Sequence, residues 1–120
     1  MPIIRLQDCD EFKAGDGCIL REMLHPDKVD LSLRYSLAHA TVGVGQTTDP
    51  HRLKTSEVYF ILQGKGCMHI DDQLNEVSPN DTVYIPPMAT QFIENIGIEP
   101  LEFICIVDPA WRSEDEEILK

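Results

Sequence analysis

The chain has 120 residues, of which 42% are hydrophobic and 26% are charged, a composition typical of a globular domain. This length favours a single domain over residues 1–120, because two separate hydrophobic cores would need a longer chain. The formal net charge of −11 argues against a nucleic-acid or anionic-membrane partner, since both attract basic surfaces.

The sequence shows no signal for membrane insertion or secretion and no paired-cysteine motif. No stretch approaches the roughly 20 apolar residues of a transmembrane helix, and the N-terminus lacks the basic and apolar regions of a secretory signal. None of the 4 cysteines forms a C-x-x-C pair, which excludes zinc-finger and thioredoxin-type sites. We therefore predict a cytoplasmic protein with free thiols.

Turn signals punctuate the chain at short intervals, beginning with Asp16-Gly17 and continuing through Asp49-Pro50, Gly64-Lys65-Gly66 and Pro86-Pro87. The intervening segments are rich in β-branched, aromatic and leucine residues, a pattern that predicts an all-β sandwich or barrel. Strands are predicted at residues 18–24, 31–43, 57–63, 67–70, 82–85, 90–96 and 101–107. Helix is predicted only near residues 8–12 and after Pro109.

Strand alternation predicts which side chains face the interior. In residues 31–43 the odd positions are the more apolar, so we expect His39 to point inward together with the leucines. The same reasoning gives a set of candidate interior residues on several strands: Tyr35, Leu37, Tyr59, Ile61, Ile93, Phe103 and Cys105.

The strongest chemical signal lies between Gly45 and Gly64. His51 follows a turn, and Glu57 begins a predicted strand shortly afterwards. If both side chains enter a barrel interior they can share a divalent transition metal, because imidazole and carboxylate ligands suit Mn, Fe, Ni or Zn. The alternatives are a buried ion pair between them, or a metal-free pocket in which they bind a substrate directly.

These residues resemble the cupin family. Motif one spans about residues 45–64, with Gly45, His51, Glu57 and Gly64 in register and Leu53 in place of a second histidine. Motif two spans about residues 80–95. Pro86 and Asn95 match it, whereas Asn80, Met88 and Gln91 replace two glycines and a histidine. The resemblance implies a single-domain jelly-roll β-barrel and a homodimer.

Metal-binding cupins use three histidines and a glutamate, so the resemblance assigns His51 and Glu57 as ligands and Gln91 as an amide-oxygen ligand. Our own addition is His39, which could replace a missing imidazole if it faces the interior. The alternative for His39 is a hydrogen-bonded core histidine.

The resemblance implies a metal-dependent enzyme acting on a small polar organic substrate, such as a dioxygenase, an isomerase or a decarboxylase. Tyr59 and Gln91 are the candidate catalytic side chains that position the substrate. The alternative is a non-catalytic cupin that binds a sugar or an organic acid, with or without a metal; a ligand-sensing role is a third hypothesis. The acidic tail at residues 109–120 is interpreted as a solvated face or a docking segment, with Trp111 covering a partner or one barrel end.

Overall fold

A computed structural model describes residues 1–119. Its strands are β1 (Glu11–Lys13), β2 (Ile19–Leu24), β3 (Ser36–Val42), β4 (His51–Leu53), β5 (Ser56–Gln63), β6 (Gly66–Ile70), β7 (Gln73–Val77), β8 (Thr82–Ile85), β9 (Gln91–Asn95), β10 (Leu101–Asp108) and β11 (Glu116–Ile118). Two short 3₁₀ turns, Leu6–Asp8 and Ser113–Asp115, complete the described elements. No helix in the described part of the chain is long and apolar enough to cross a membrane.

The strands form two antiparallel sheets, so the all-β prediction is confirmed. The six-stranded sheet has the order β1-β2-β3-β10-β5-β8, and the five-stranded sheet has the order β11-β4-β9-β6-β7. The segment after Pro109 is not helical. It makes a 3₁₀ turn and then β11, which pairs with β4 and places Ile118 opposite His51. Residues 116–118 of the acidic tail therefore form the edge strand of a sheet.

Alternation along β5 and β10 builds the interior between the two sheets. In β5 the side chains of Glu57, Tyr59 and Ile61 are buried, and Phe60, on the other face, is 38% exposed. In β10 every second residue from Leu101 onwards is buried. Because both strands bury one face only, the central pair β5–β10 has its outer face free and its inner face against the second sheet.

The alternation predicted for β3 is wrong, and His39 is therefore not an interior residue. Strand β3 begins only at Ser36, so Leu31 and Leu33, two of the three leucines that set the predicted pattern, lie before it, and Leu37 lies on the outer face with His39. The inward side chains are small ones, including Ala38 and Ala40. His39 lies on the outer face of the six-stranded sheet, where its Nε2 is 3.0 Å from Glu102 Oε1.

Candidate binding site between the two sheets

A cavity of about 190 Å³ opens at one end of the interior. Its walls are mostly apolar and aromatic, with a few polar groups at one side, which is the usual composition of a small-molecule site. The six-stranded sheet supplies Leu20, Tyr59, Phe103 and Cys105, and the five-stranded sheet supplies His51, Leu53 and Glu116. The remaining lining includes Phe12, Lys13, Asp16 and Trp111, so the segments at both ends of the chain help to form the opening.

His51 presents one ring nitrogen to the cavity. The side chain is 3% exposed, and its Nδ1 lies 2.9 Å from the carbonyl oxygen of Asp49. A carbonyl oxygen only accepts hydrogen bonds, so Nδ1 carries the hydrogen and donates it. In the neutral ring Nε2 then has a free lone pair, and it lies 3.8 Å from Asp16 Oδ2. The backbone thus fixes both the tautomer and the orientation of the ring.

Glu57, Gln91 and Tyr59 form a buried hydrogen-bonded relay across the two sheets. The Tyr59 hydroxyl donates to Gln91 Oε1 at 3.0 Å, and Gln91 Nε2 donates to Glu57 Oε1 at 2.9 Å. All three side chains are at most 7% exposed. The relay satisfies the polar groups of Gln91 and leaves Glu57 with one oxygen not used by it.

Burial dominates the electrostatics of this site. Desolvation raises the pKa of Glu57 to about 8; the Gln91 hydrogen bond opposes this, and the negative charges of Asp16 and Glu116 add to it. Burial likewise raises the pKa of Tyr59 and of the Cys18 and Cys105 thiols. At neutral pH Glu57 therefore carries a proton, and the two thiols are not thiolate nucleophiles.

Asp16 and Glu116 are site residues that the sequence did not reveal. Asp16 is 8% exposed, and its Oδ1 accepts a hydrogen bond from the backbone N–H of Cys18 at 3.2 Å, which closes the Asp-Gly turn. Glu116 accepts a hydrogen bond from the Trp111 indole at 3.4 Å. The Asp16-Gly17 signal predicted a turn, but nothing local indicated that the turn faces a cavity.

The other residues predicted to face the interior lie in three different places: the cavity, the packed core and the outer face. Tyr59, Phe103 and Cys105 line the cavity as predicted, and Ile61 and Ile93 belong to the packed core. Tyr35 is 40% exposed, and Leu37 shares the outer face of β3 with His39. Of the four predicted metal ligands, His51, Glu57 and Gln91 are therefore brought together and His39 is not.

The side chains at the cavity differ from the donor set that the resemblance implies. One imidazole stands where three are expected, because Leu53 and Gln91 occupy the places of two histidines. Leu53 has no ligating atom, and the Gln91 amide oxygen accepts the Tyr59 hydroxyl. Within residues 1–119, the ligating atoms of three histidine, cysteine or acidic side chains approach within 4.8 Å of one another at one place only, and that place is outside this cavity. The arrangement is that of a hydrogen-bonding wall rather than a preformed transition-metal centre.

Comparison with known proteins agrees with this architecture. The cupin-domain family model matches residues 38–107. The chain is 46% identical over 106 residues to the uncharacterized protein MJ1618 of Methanocaldococcus jannaschii, covering 88% of this chain and 84% of that protein. It is 29% identical over 104 residues to a mannose-1-phosphate guanylyltransferase of Escherichia coli K12, covering 82% of this chain but only 22% of that enzyme.

Among solved structures, a predicted oxalate decarboxylase from Thermotoga maritima superposes with a TM-score of 0.80 at 17% sequence identity. The match covers 90% of this chain and 99% of that one. At this identity the likeness concerns the fold, and it confirms the predicted jelly roll. Family match, relative and fold agree, and the chain belongs to the cupin family.

Proposed function

We propose that this cupin binds a small, uncharged organic molecule in the cavity between its sheets, through an apolar body and one hydroxyl or carbonyl group. The observation that carries the proposal is the buried relay from Tyr59 through Gln91 to Glu57, beside the free Nε2 of His51. Fixed polar groups at one side of an apolar cavity select and orient a ligand of this kind.

The polar wall offers both a donor and an acceptor. A neutral Glu57 has an O–H to donate, and His51 Nε2 has a lone pair to accept. A single hydroxyl group satisfies both, because it accepts from one and donates to the other. Phe103 and Trp111 on the lining supply flat apolar surface for the rest of the molecule.

The charges around the cavity disfavour an anionic ligand. Asp16 and Glu116 line it beside the neutral Glu57, with Lys13 near the opening. A carboxylate or phosphate brought into this low-dielectric space would face carboxyl groups without a paired cation, which costs several kcal/mol. The ligands implied by the names of the relatives, oxalate and mannose 1-phosphate, are anions, so in the metal-free site they should bind poorly.

The competing hypothesis is metal-dependent chemistry of the dioxygenase, isomerase or decarboxylase type. In that case Mn, Fe, Ni or Zn would be held by His51, Glu57 and Asp16, and would neutralise these carboxylates and polarise a substrate oxygen. The feature that favours it is the position of His51 Nε2, which faces the cavity 3.8 Å from Asp16 Oδ2. This hypothesis predicts the opposite ligand charge, because anions would bind once the cation is present.

Thermal-shift and calorimetric titrations separate the two hypotheses. The probes are phenol and D-mannose as neutral molecules and oxalate and mannose 1-phosphate as anions, each with and without Mn²⁺. We expect a neutral probe to bind without Mn²⁺ and the anions not to bind. Anion binding that requires Mn²⁺, with no response to any neutral probe, would establish the metal-dependent alternative.

A matched pair of variants locates the binding. Tyr59→Phe removes the hydroxyl that orients Gln91 and, through it, Glu57, and should weaken binding about tenfold because the donor to the ligand is no longer held in place. Tyr84→Phe is the control, since Tyr84 is 61% exposed on the outer face. Equal affinities in both variants would place the ligand elsewhere.

We also propose the homodimer that the family resemblance implies. The outer face of the six-stranded sheet supports it. Phe60 and Ile106 are 38% and 37% exposed, and Tyr84 lies opposite Val58 on the neighbouring strand. Light scattering on the purified protein tests this; a monomeric mass at micromolar concentration would contradict it.

A further inference from the structure

A group of metal-ligating side chains lies on the outer face of the five-stranded sheet, whose inner face helps to line the cavity. Cys67, His69 and Glu94 each offer one ligand atom, and these atoms all lie within 4.8 Å of one another. Cys67 and His69 are half-buried and Glu94 is exposed, so the group is open to solvent.

Strand geometry places these three side chains together. Cys67 and His69 are two residues apart on β6, so they share a face. That face is the outer one, because the intervening Met68 is 3% exposed and belongs to the core. Glu94 on β9 lies directly opposite Cys67 in the antiparallel register, where facing side chains have Cβ atoms roughly 5 Å apart.

The His69 ring is held in place by packing. It stacks on Phe92, its cross-strand partner, with ring centroids 4.0 Å apart and an interplanar angle of 14°. A ring fixed in this way loses little further freedom when it binds an ion. For residues 1–119 the structure gives the Cys67 thiol, the His69 ring and the Glu94 carboxylate no hydrogen bond or salt bridge, so their ligating atoms are available.

We propose that Cys67, His69 and Glu94 form a surface site for a zinc ion on the outer face of the five-stranded sheet. Thiolate sulfur, imidazole nitrogen and carboxylate oxygen are the three ligand types that Zn²⁺ takes, and three protein ligands leave a fourth position for water. Glu76, which flanks Cys67 on β7, could fill that position. The site bridges β6 and β9, so a bound ion links neighbouring strands and stabilises their pairing. It uses no cavity residue and does not depend on the proposed function.

The test is titration of the full-length, EDTA-treated protein with Zn²⁺ by calorimetry, and with Co²⁺ as a spectroscopic substitute. We expect about one tight ion per chain, a thiolate-to-cobalt charge-transfer band in the near ultraviolet, and a higher melting temperature with Zn²⁺. Cys67→Ser should abolish the band and weaken binding by roughly 100-fold. Glu94→Gln should weaken binding without removing the band, because the sulfur ligand remains.

Two controls separate this site from other sources of metal binding. Cys9→Ser removes a half-buried thiol outside the group and should leave the band unchanged. Glu57→Gln alters the cavity and should also leave it unchanged. The proposal is overturned if neither ion binds, if the band survives in Cys67→Ser, or if Glu57→Gln rather than Cys67→Ser abolishes binding. Far-ultraviolet circular dichroism of each variant verifies that the fold is retained.

Discussion

In β5, Ile61 is buried among apolar side chains, whereas Glu57, on the same face of the same strand, reaches the cavity. The first position belongs to the packed end of the interior, built around Ile61, Ile93 and Leu101, and the second to the hollow end, built around His51, Glu57 and Gln91. The same alternation of side chains along the strands buries both sets, so the fold alone does not distinguish core residues from site residues. They differ only in the chemistry of the inward-facing side chain.

The two ends also differ in how their polar groups are satisfied. At the packed end, the side chain of buried Asn95 donates to the Val42 and Glu99 carbonyls and accepts from the Gly97 N–H. These hydrogen bonds fix the loop between β9 and β10. At the hollow end the relay finishes at Glu57, a carboxyl with no cationic partner in the relay. The fully hydrogen-bonded Asn95 side chain helps to specify the structure at the packed end. The Glu57 carboxyl at the hollow end lowers stability because it has fewer partners, and it is available to a ligand.

The largest expected effect is a dependence of stability on pH that comes from Glu57. Its pKa is about 8 in the folded protein, against an ordinary value of 4.5. Between these values the folded state binds more protons than the unfolded state, so stability falls as pH rises. The full loss is on the order of 5 kcal/mol. Urea unfolding from pH 4.5 to above 8 should show this loss in the native protein and a much flatter profile in Glu57→Gln. Parallel profiles would refute the buried-carboxyl assignment.

Truncating a leucine at each end tests the difference in packing. Leu101 is fully buried in the packed end, and Leu101→Ala should cost about 3–4 kcal/mol, because the void it leaves is lined on every side. Leu53 already borders the cavity, so Leu53→Ala removes fewer contacts and should cost about 2 kcal/mol. Urea unfolding at fixed pH measures both, and equal losses would mean that the cavity end is as tightly packed as the core.

The sequence predicted the architecture well because its signals for strands are local. Turn residues and alternation gave seven strands, and residues 82–85 coincide with β8 (Thr82–Ile85). Four strands were missed: β1, β4 and β11, which have three residues each, and β7 (Gln73–Val77), whose pattern is mostly polar and exposed. Such strands carry too little pattern of their own, and pairing with neighbours defines them.

For the site, the motif spacing located His51, Glu57 and Gln91, but parity misplaced His39 and nothing indicated Asp16 or Glu116. The interior of β3 is lined by alanines, so counting apolar residues chose the wrong face. Asp16 and Glu116 enter the cavity from the two ends of the chain. Such long-range placement depends on the complete sheet topology, which no local pattern encodes.

Backbone strain also differs between the hollow and packed ends, and it gives the smallest predicted change in stability. Motif two has Met88 where the family has glycine, and Met88 adopts a φ of 69°, a left-handed conformation that costs a residue with a Cβ about 1–2 kcal/mol. Its side chain is 52% exposed, and its N–H donates to the Leu53 carbonyl beside the cavity. At the packed end, Gly64 supplies the comparable conformation with a φ of 89°.

Glycine at position 88 should therefore relieve the strain. Met88→Gly loses little packing and is offset in part by the greater freedom of glycine in the unfolded chain, so we expect a net gain of about 0.5–1 kcal/mol. Gly64→Ala, the matched change at the packed end, should have the opposite sign, because a Cβ there would lie 2.9 Å from the Pro100 carbonyl oxygen. Urea unfolding of both variants checks the pair. A stabilised Met88→Gly protein with weaker binding of the cavity ligand would show that the strained loop holds β4, and with it His51, in the binding geometry.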